Sequence, residues 1–398
     1  MKKILLFFAF VAVLPAVANG QDFEVELKGY VGVNASVNTR SSVEARNRHI
    51  YLYPLPEDLT ETGEDRNDES RFDMDASYSR FGLHVSAPQL KGFNTSAVIE
   101  GDFLGKGNGD NNFRLRHAFV KLAKEKWALT AGQTWHPFFL VENFPGTVNV
   151  NAGTPFHPLL RSPQVNIAWQ ASEKTEILFF VIEQNNFRSA GFGANSSERA
   201  LMPELDAQLK WTGKGVWAAF TGGIKTLAVP RAITGDASLE KITSCHFNGS
   251  FRYRFPGITF RMEGLYGGNL SEMVMLGGVG RSVGDGDYVP VETASLWCDI
   301  HGNNSDGFQP GIFAGYTANM GAREEVSVVG ELSRSNGNVA SVFAVSPRLK
   351  YIFGKAWVGA EWLVTSAEWG TGFDNYGVPD DTDNYINHRF LVSLRYNF

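Results

Sequence analysis

Two carboxylates and two arginines at matched spacing are the first residues here that could do chemistry together. Glu100 and Asp102 lie in the run VIEGDFLG, and Arg114 and Arg116 lie in the run RLRHAFVKL, with the turn GKGNGDNN between them. Residues two apart on a strand share a face. A hairpin register that sets Glu100 opposite Arg116 and Asp102 opposite Arg114 therefore makes a cross-strand ion ladder. Other candidate chemistries are weaker. The glycines at 277, 278, 280 and 284 lack the flanking strand and helix of a dinucleotide site and read as loop. Asp285 with Asp287, and Asp380, Asp381 with Asp383, suit either calcium between loops or plain solvated charge. His117, His136, His157, His246 and His301 show no metal-ligand spacing, so no metal or other cofactor is expected. No Ser, His and orienting polar group fall together on one wall, so no enzyme is expected. Cys245 and Cys298 either pair across a rim or remain two separate buried thiols.

The elements that must position these residues are strands. In the last run, 386–398, Phe390, Val392, Leu394, Tyr396 and Phe398 alternate with Arg389, Ser393, Arg395 and Asn397, the period-two pattern of a strand with one apolar face. At the other end, Lys2 and Lys3 precede an apolar run over 4–17 and small residues at Ala16, Ala18 and Gly20. This is an export signal over 1–20, leaving 21–398 as one domain. No later stretch approaches the length of a membrane-spanning helix. The 42 Gly, 30 Phe, 9 Trp and 12 Tyr suit many turns and aromatic girdles. Without Lys2 and Lys3 the chain carries 34 basic and 42 acidic residues, net −8, which removes the electrostatic basis for binding nucleic acid. The expectation is an all-β, transmembrane, antiparallel up-and-down β-barrel of about 16 strands in the outer membrane of a Gram-negative bacterium.

Sixteen candidate strands follow: 28–38, 70–86, 93–104, 113–123, 126–139, 163–172, 175–188, 203–212, 215–229, 241–255, 258–270, 311–320, 324–334, 339–353, 356–370 and 386–398. Tight connections such as 88–92, 212–214, 256–257 and 354–355 alternate with long polar ones such as 39–69, 141–162, 271–310 and 371–385, as bacterial barrels require. Where alternation is clean the faces are assignable. Phe247, Phe251, Tyr253, Phe255, Phe260, Met262, Leu349, Tyr351 and Phe353 face lipid, while His246, Asn248, Ser250, Arg252, Arg254, Arg261, Glu263, Arg348 and Lys350 face inward. An arginine on the lipid side at mid-membrane costs ~2–4 kcal/mol. Strand 175–188 is apolar on both faces. The last run must pair with the first strand, where Val31, Val33, Ala35 and Val37 alternate, because an open edge leaves backbone groups unsatisfied in lipid.

The runs SRFGL, VIEGDFLG, RLRHAFVKL and AGQTW, roughly residues 79–135, resemble the DcaP-like family of trimeric outer-membrane porins. The resemblance implies a sixteen-stranded homotrimer, set in outer-membrane lipid, that passes small and often anionic solutes. The terminal Phe398 is similar to the signal read by the barrel-assembly machinery. The expected function is passive diffusion of small hydrophilic solutes. The alternative is a substrate-specific or loop-plugged barrel acting as a receptor or assembly component.

The loop 141–162 is the third long connection, a position that in sixteen-stranded porins commonly folds into the barrel. Phe144, Pro145, Val148, Val150, Pro155, Phe156, Pro158, Leu159 and Leu160 make it too apolar for a free surface loop. Glu142, Phe144, His157 and Arg161 are its candidate constriction residues, facing Arg114 and Arg116 on the wall. The alternative is packing over the rim or against a neighbouring subunit. Strand direction puts Arg71, Arg114, Arg116 and Arg389 near the outer mouth with Asp73, Asp75, Glu100 and Asp102. It puts Arg252, Arg254, Arg261, Arg348 and Lys350 in the inner half with only Glu263 close by, a basic stretch that should attract anions.

Overall fold

A computed structural model describes residues 23–105, 111–190, 195–230, 238–329 and 338–398; the expected export signal lies outside them. The strands in chain order are β1 (Glu24–Asn38), β2 (Ser42–Ala45), β3 (Ile50–Pro54), β4 (Arg71–Asp75), β5 (Arg80–Leu90), β6 (Phe93–Gly105), β7 (Asn112–Lys124), β8 (Trp127–Trp135), β9 (Arg161–Gln170) and β10 (Thr175–Ile182). They continue with β11 (Glu204–Thr212), β12 (Val216–Pro230), β13 (Leu239–Arg254), β14 (Ile258–Gly268), β15 (Gly278–Ser282), β16 (Tyr288–Gly302), β17 (Gly307–Gly321), β18 (Val326–Val329), β19 (Val339–Phe353), β20 (Ala356–Phe373) and β21 (Pro379–Asn397). With β4 and β5 forming one interrupted stave, and β2, β3, β15 and β18 outside the wall, these make a closed antiparallel barrel of 16 staves.

Closure is made by β1, which pairs with β21 on one side (Val31↔Tyr396, Val37↔Phe390) and with β4 and β5 on the other. The terminal residue takes part: Phe398 N–H donates to Gly29 O at 3.0 Å and Gly29 N–H to Phe398 O at 3.2 Å. Between β4 and β5 the chain turns inward so that Tyr78 lies across Gly32, where any Cβ would collide with its ring.

Alternation sorts the side chains as elementary barrel physics requires. On β13, His246, Asn248 and Ser250 are buried inside while Phe247 is 45% exposed outside. Phe72, Met74, Phe179, Phe220, Leu296 and Phe390 extend the same outer apolar belt, which only lipid can cover. Aromatic pairs such as Trp127 with Trp169 and Phe308 with Tyr351 sit at the short-turn end, where amphipathic rings anchor a barrel in the interface. The doubly apolar strand β10 presents Phe179 and Val181 outward, and Leu178, Phe180 and Ile182 inward beside Ala168. The apolar core lies inside the long-loop half. There the β2–β3 hairpin, the segment 138–160 and residues 270–276 pack on Leu265, Trp297, Phe313, Val342 and Leu363.

One expected strand is misplaced. The stave after β14 is β16, inside the region expected to be one long loop over 271–310. Leu296 and Ile300 face out, but the outward Ala294 and Cys298 between and beside them are small and the largest apolar residue, Trp297, faces in, so the period-two signal is weak, and Pro290 obscures its start. The run 324–334 is not wall: its described part forms β18, which pairs with β15 beyond the barrel rim. Residues 330–334 lie outside the described residues. Consequently β17 runs opposite to the expected direction, and the long connection is confined to 269–287, with β16 and the tight turn at 303–306 taking up the rest of the expected loop. The Asp380, Asp381 and Asp383 group lies on β21 rather than in a free loop. Cys245 and Cys298 are both free; Cys245 is exposed on the outer face rather than buried.

Candidate functional site: the charged lumen and the loop folded into it

The ion ladder forms with a bulge in it. Asp102 stands opposite Arg114 as expected, but a register shift after Glu100 sets Glu100 opposite His117. Arginine length makes up the offset. Arg114 grips Asp102 through two hydrogen bonds of 2.9 and 2.6 Å, and Arg116 bridges Asp102 at 3.0 Å and Glu100 at 2.6 Å. Arg80 on β5 reaches Glu100 at 3.7 Å. Two further arginines extend the strip. Arg161 lies over Trp135 at 4.5 Å, and Arg395 over Tyr30 at 3.4 Å, a ring that Arg80 also covers at 4.8 Å. Neither Arg161 nor Arg395 has a carboxylate at salt-bridge distance among the described residues. Arg161 is the first residue of β9, not part of the loop.

Asp102 is 1% exposed and is shared by two buried guanidiniums. Removing one partner of such a network strands the others as uncompensated buried charge, at about 3–5 kcal/mol. Asp102→Ala should lower the temperature at which the barrel loses its folded electrophoretic mobility, while Asp58→Ala on the exposed loop leaves it unchanged. A D102A barrel as heat-resistant as the parent would remove the structural role of the ladder.

A second charged group lines β13, β14, β16, β19 and β20, and the segment 141–160 lies against it. Asn143 donates to Ser250 Oγ at 2.6 Å and to the carbonyls of Phe251 and Met262. The N–H groups of Gly146 and Val148 donate to Asp299 and Glu361. Arg252 donates to Glu142 O, Arg261 to Phe144 O at 2.7 Å, and Lys350 to Gly146 O at 2.9 Å. His157 meets Glu263 at 2.8 Å, and Ser295 Oγ donates to Phe156 O at 2.7 Å. The loop therefore runs inside the barrel across five staves. Its backbone polar groups are satisfied by wall side chains, which is what a buried loop requires.

The individual candidates sort as follows. Glu100, Asp102, Arg114 and Arg116 form one cluster, joined by Arg161. Arg252, Arg261, Glu263, Arg348 and Lys350 form the second, but with Asp299 and Glu361 among them; Arg348 is paired with Asp299 at 2.8 Å. The inner half is thus less basic than the alternation of β13 and β19 alone suggests. Arg254 is exposed at the end of β13, apart from the loop. Arg389 is buried beneath the β2–β3 hairpin near Glu44, whose carboxyl burial pushes above the ordinary glutamate range against the pull of Arg389. Glu142 pairs with Lys210 at 2.8 Å and His157 with Glu263, so neither faces Arg114 or Arg116. Phe144 is 36% exposed and stacks on Phe139.

Sequence spacing also carried no sign of a third group. At the root of the loop, His136 Nε2 lies 3.1 Å from Glu204 Oε1 and 3.8 Å from Asp206 Oδ2, while His246 Nε2 lies 3.0 Å from Glu204 Oε1 and 3.1 Å from Asp206 Oδ1. All four side chains are buried. The signals that existed were elsewhere. Glu361 alternates with outward Ala360 and Trp362, and Arg395 with outward Leu394 and Tyr396.

A closed barrel of sixteen staves, apolar outside and charged inside, with a loop laid across its lumen, is the architecture of the outer-membrane channels. Among solved structures the chain is similar to the outer-membrane channel DcaP of Acinetobacter baumannii, with TM-score 0.71 and 16% identity over 94% of this chain and 97% of that one. It is also similar to OmpT, an outer-membrane protein of Vibrio cholerae solved in a trimer form, with TM-score 0.56 and 10% identity over 94% and 99%. OmpF of Salmonella typhi follows with TM-score 0.52 and 12% identity over 94% and 97%. The likeness is one of fold, and it covers nearly the whole chain. Neither a protein-family model nor a curated protein matches the sequence.

Proposed function

We propose that the chain is an outer-membrane porin, acting as a homotrimer, that passes small hydrophilic solutes by passive diffusion and favours anions. The observation that carries this reading is the strip Arg80, Arg114, Arg116, Arg161 and Arg395, whose ion-pair partners among the described residues are Glu100 and Asp102, so that the strip itself keeps an excess of positive charge. In a narrow low-dielectric passage the local excess of positive charge, rather than the net charge of −6, decides which ions enter. Glu142 and Phe144 line the constriction in this reading, while His157, buried against Glu263, holds the loop that carries them, and export through the signal over 1–20 precedes insertion by the barrel-assembly machinery.

Reversal potentials in a potassium chloride gradient test it. The parent should prefer chloride, and Arg161→Gln with Arg395→Gln should move the ratio severalfold toward parity. Cation preference in the parent sinks the proposal.

A second reading has one observation in its favour. Three segments converge in the long-loop half and bury Asp102, Glu263, Asp299, Arg348 and Arg389 almost completely, as in a barrel plugged by its own loops. A folded barrel that never conducts would favour it.

A further inference from the structure

We propose that His136, His246, Glu204 and Asp206 form a binding site for a divalent transition-metal ion of the zinc class, which ties the root of the lumen loop to the barrel wall. The side chains come from different elements: His136 directly follows β8, Glu204 and Asp206 share the inner face at the start of β11, and His246 points inward from β13. They converge because β12, between β11 and β13, carries Gly223 at the level of Asp206 and His246; a Cβ there would collide with both.

The geometry fits an ion better than it fits a closed set of hydrogen bonds. Two imidazoles and two carboxylates are a usual donor set for zinc, with ligand distances near 2.0–2.2 Å, so neighbouring donor atoms in a tetrahedral site stand about 3.4 Å apart. One donor atom each from His136, Glu204 and Asp206 lie within 4.8 Å of one another, and His246 Nε2 borders that group at 3.0 Å from Glu204 Oε1 and 3.1 Å from Asp206 Oδ1, so small side-chain shifts bring the fourth donor to the ion. Both histidines offer the same nitrogen, Nε2, to the same two carboxylates. Asp206 Oδ2 is fully buried and has no hydrogen-bond partner among the described residues, although it lies on the side of His136. A buried carboxylate oxygen left unpaired costs the desolvation of that atom, which a cation would recover.

Phe138 N–H donates to His136 Nδ1 at 3.3 Å, a long contact that places the ring proton on Nε2. Ion entry displaces the Nε2 proton of each histidine, and both rings ligate as neutral imidazoles with their one proton on Nδ1, which for His136 releases the long contact to Phe138. The neighbouring carbonyl of Pro137 is held by Gln208 Nε2 at 2.8 Å, so the ion would sit where the loop is already anchored to β11.

The test uses tag-free, full-length barrel in detergent, stripped with chelator and dialysed, with Co2+ and then Zn2+ as probes. Folding is monitored throughout by heat-modifiable mobility. The expected result is saturation at one Co2+ per chain, with the intense visible absorption of a four-coordinate site, displaced stoichiometrically by Zn2+. His246→Gln and Glu204→Gln barrels that remain folded should lose that absorption, and His301→Gln should keep it. A folded parent barrel that develops no such absorption, or whose absorption survives His246→Gln, overturns the proposal and leaves the four residues as a buried ion-pair cluster. Because this readout is spectroscopic, it is independent of whether the barrel conducts.

Discussion

Shortening the loop between Gly146 and Gly153 is expected to raise single-channel conductance severalfold while leaving the barrel folded and heat-resistant. The removed stretch contributes Gly146 N–H to Asp299, Val148 N–H to Glu361 and two carbonyls to Lys350. None of these partners is a backbone group of the wall. Asp299 keeps Arg348 at 2.8 Å and His301 at 2.9 Å, and Glu361 and Lys350 would meet water in the widened lumen. The barrel's own ladder is untouched, so its stability should fall little. Unchanged conductance in such a folded variant would place the narrowest point elsewhere, with residues 270–276 the next segment to shorten.

The second large effect is expected from the opposite kind of deletion, a single residue at the seam. Without Phe398, Gly29 loses both backbone partners, one donor and one acceptor, where β1 must meet β21. Unsatisfied backbone groups facing lipid cost several kcal/mol each. Folded, heat-modifiable barrel recovered from the outer membrane should drop severalfold in the deletion. Removal of residues 60–64, which lie in an exposed turn away from the wall, should leave the yield near the parent's. Equal yields would mean that the last residue closes nothing.

What could be read in the sequence follows from how each element makes its contacts. Strands β13, β19, β20 and β21 have large apolar residues outside and polar ones inside, so alternation alone located them. The ladder of Asp102 with Arg114 was legible because both partners come from one hairpin, whereas the bulge after Glu100 was not, since Arg116 reaches Glu100 in either register. Strand β16 was lost because Trp297 points inward into the loop-filled core and the small Ala294 and Cys298 leave only Leu296 and Ile300 to mark its outer face. Losing it also hid Asp299, the carboxylate that pairs with Arg348 and receives the loop at Gly146. The apolar content of 141–162 marked it as an inward loop, but the wall residues it meets depend on the barrel's closure, and Glu142 and His157 turned to Lys210 and Glu263. The His136, His246, Glu204 and Asp206 group had no sequence pattern to betray it, because strand neighbours in space are distant along the chain.

Conduction requires the lumen to stay open despite the loops packed within it. Purified parent barrel added to a planar lipid bilayer tests this most directly. The expected result is stable, ohmic, unitary current steps, grouped in threes, with a reversal potential of the anion-selective sign in a salt gradient. A preparation that is folded and membrane-inserted yet gives no steps would contradict it, and would leave a barrel closed by its own loops.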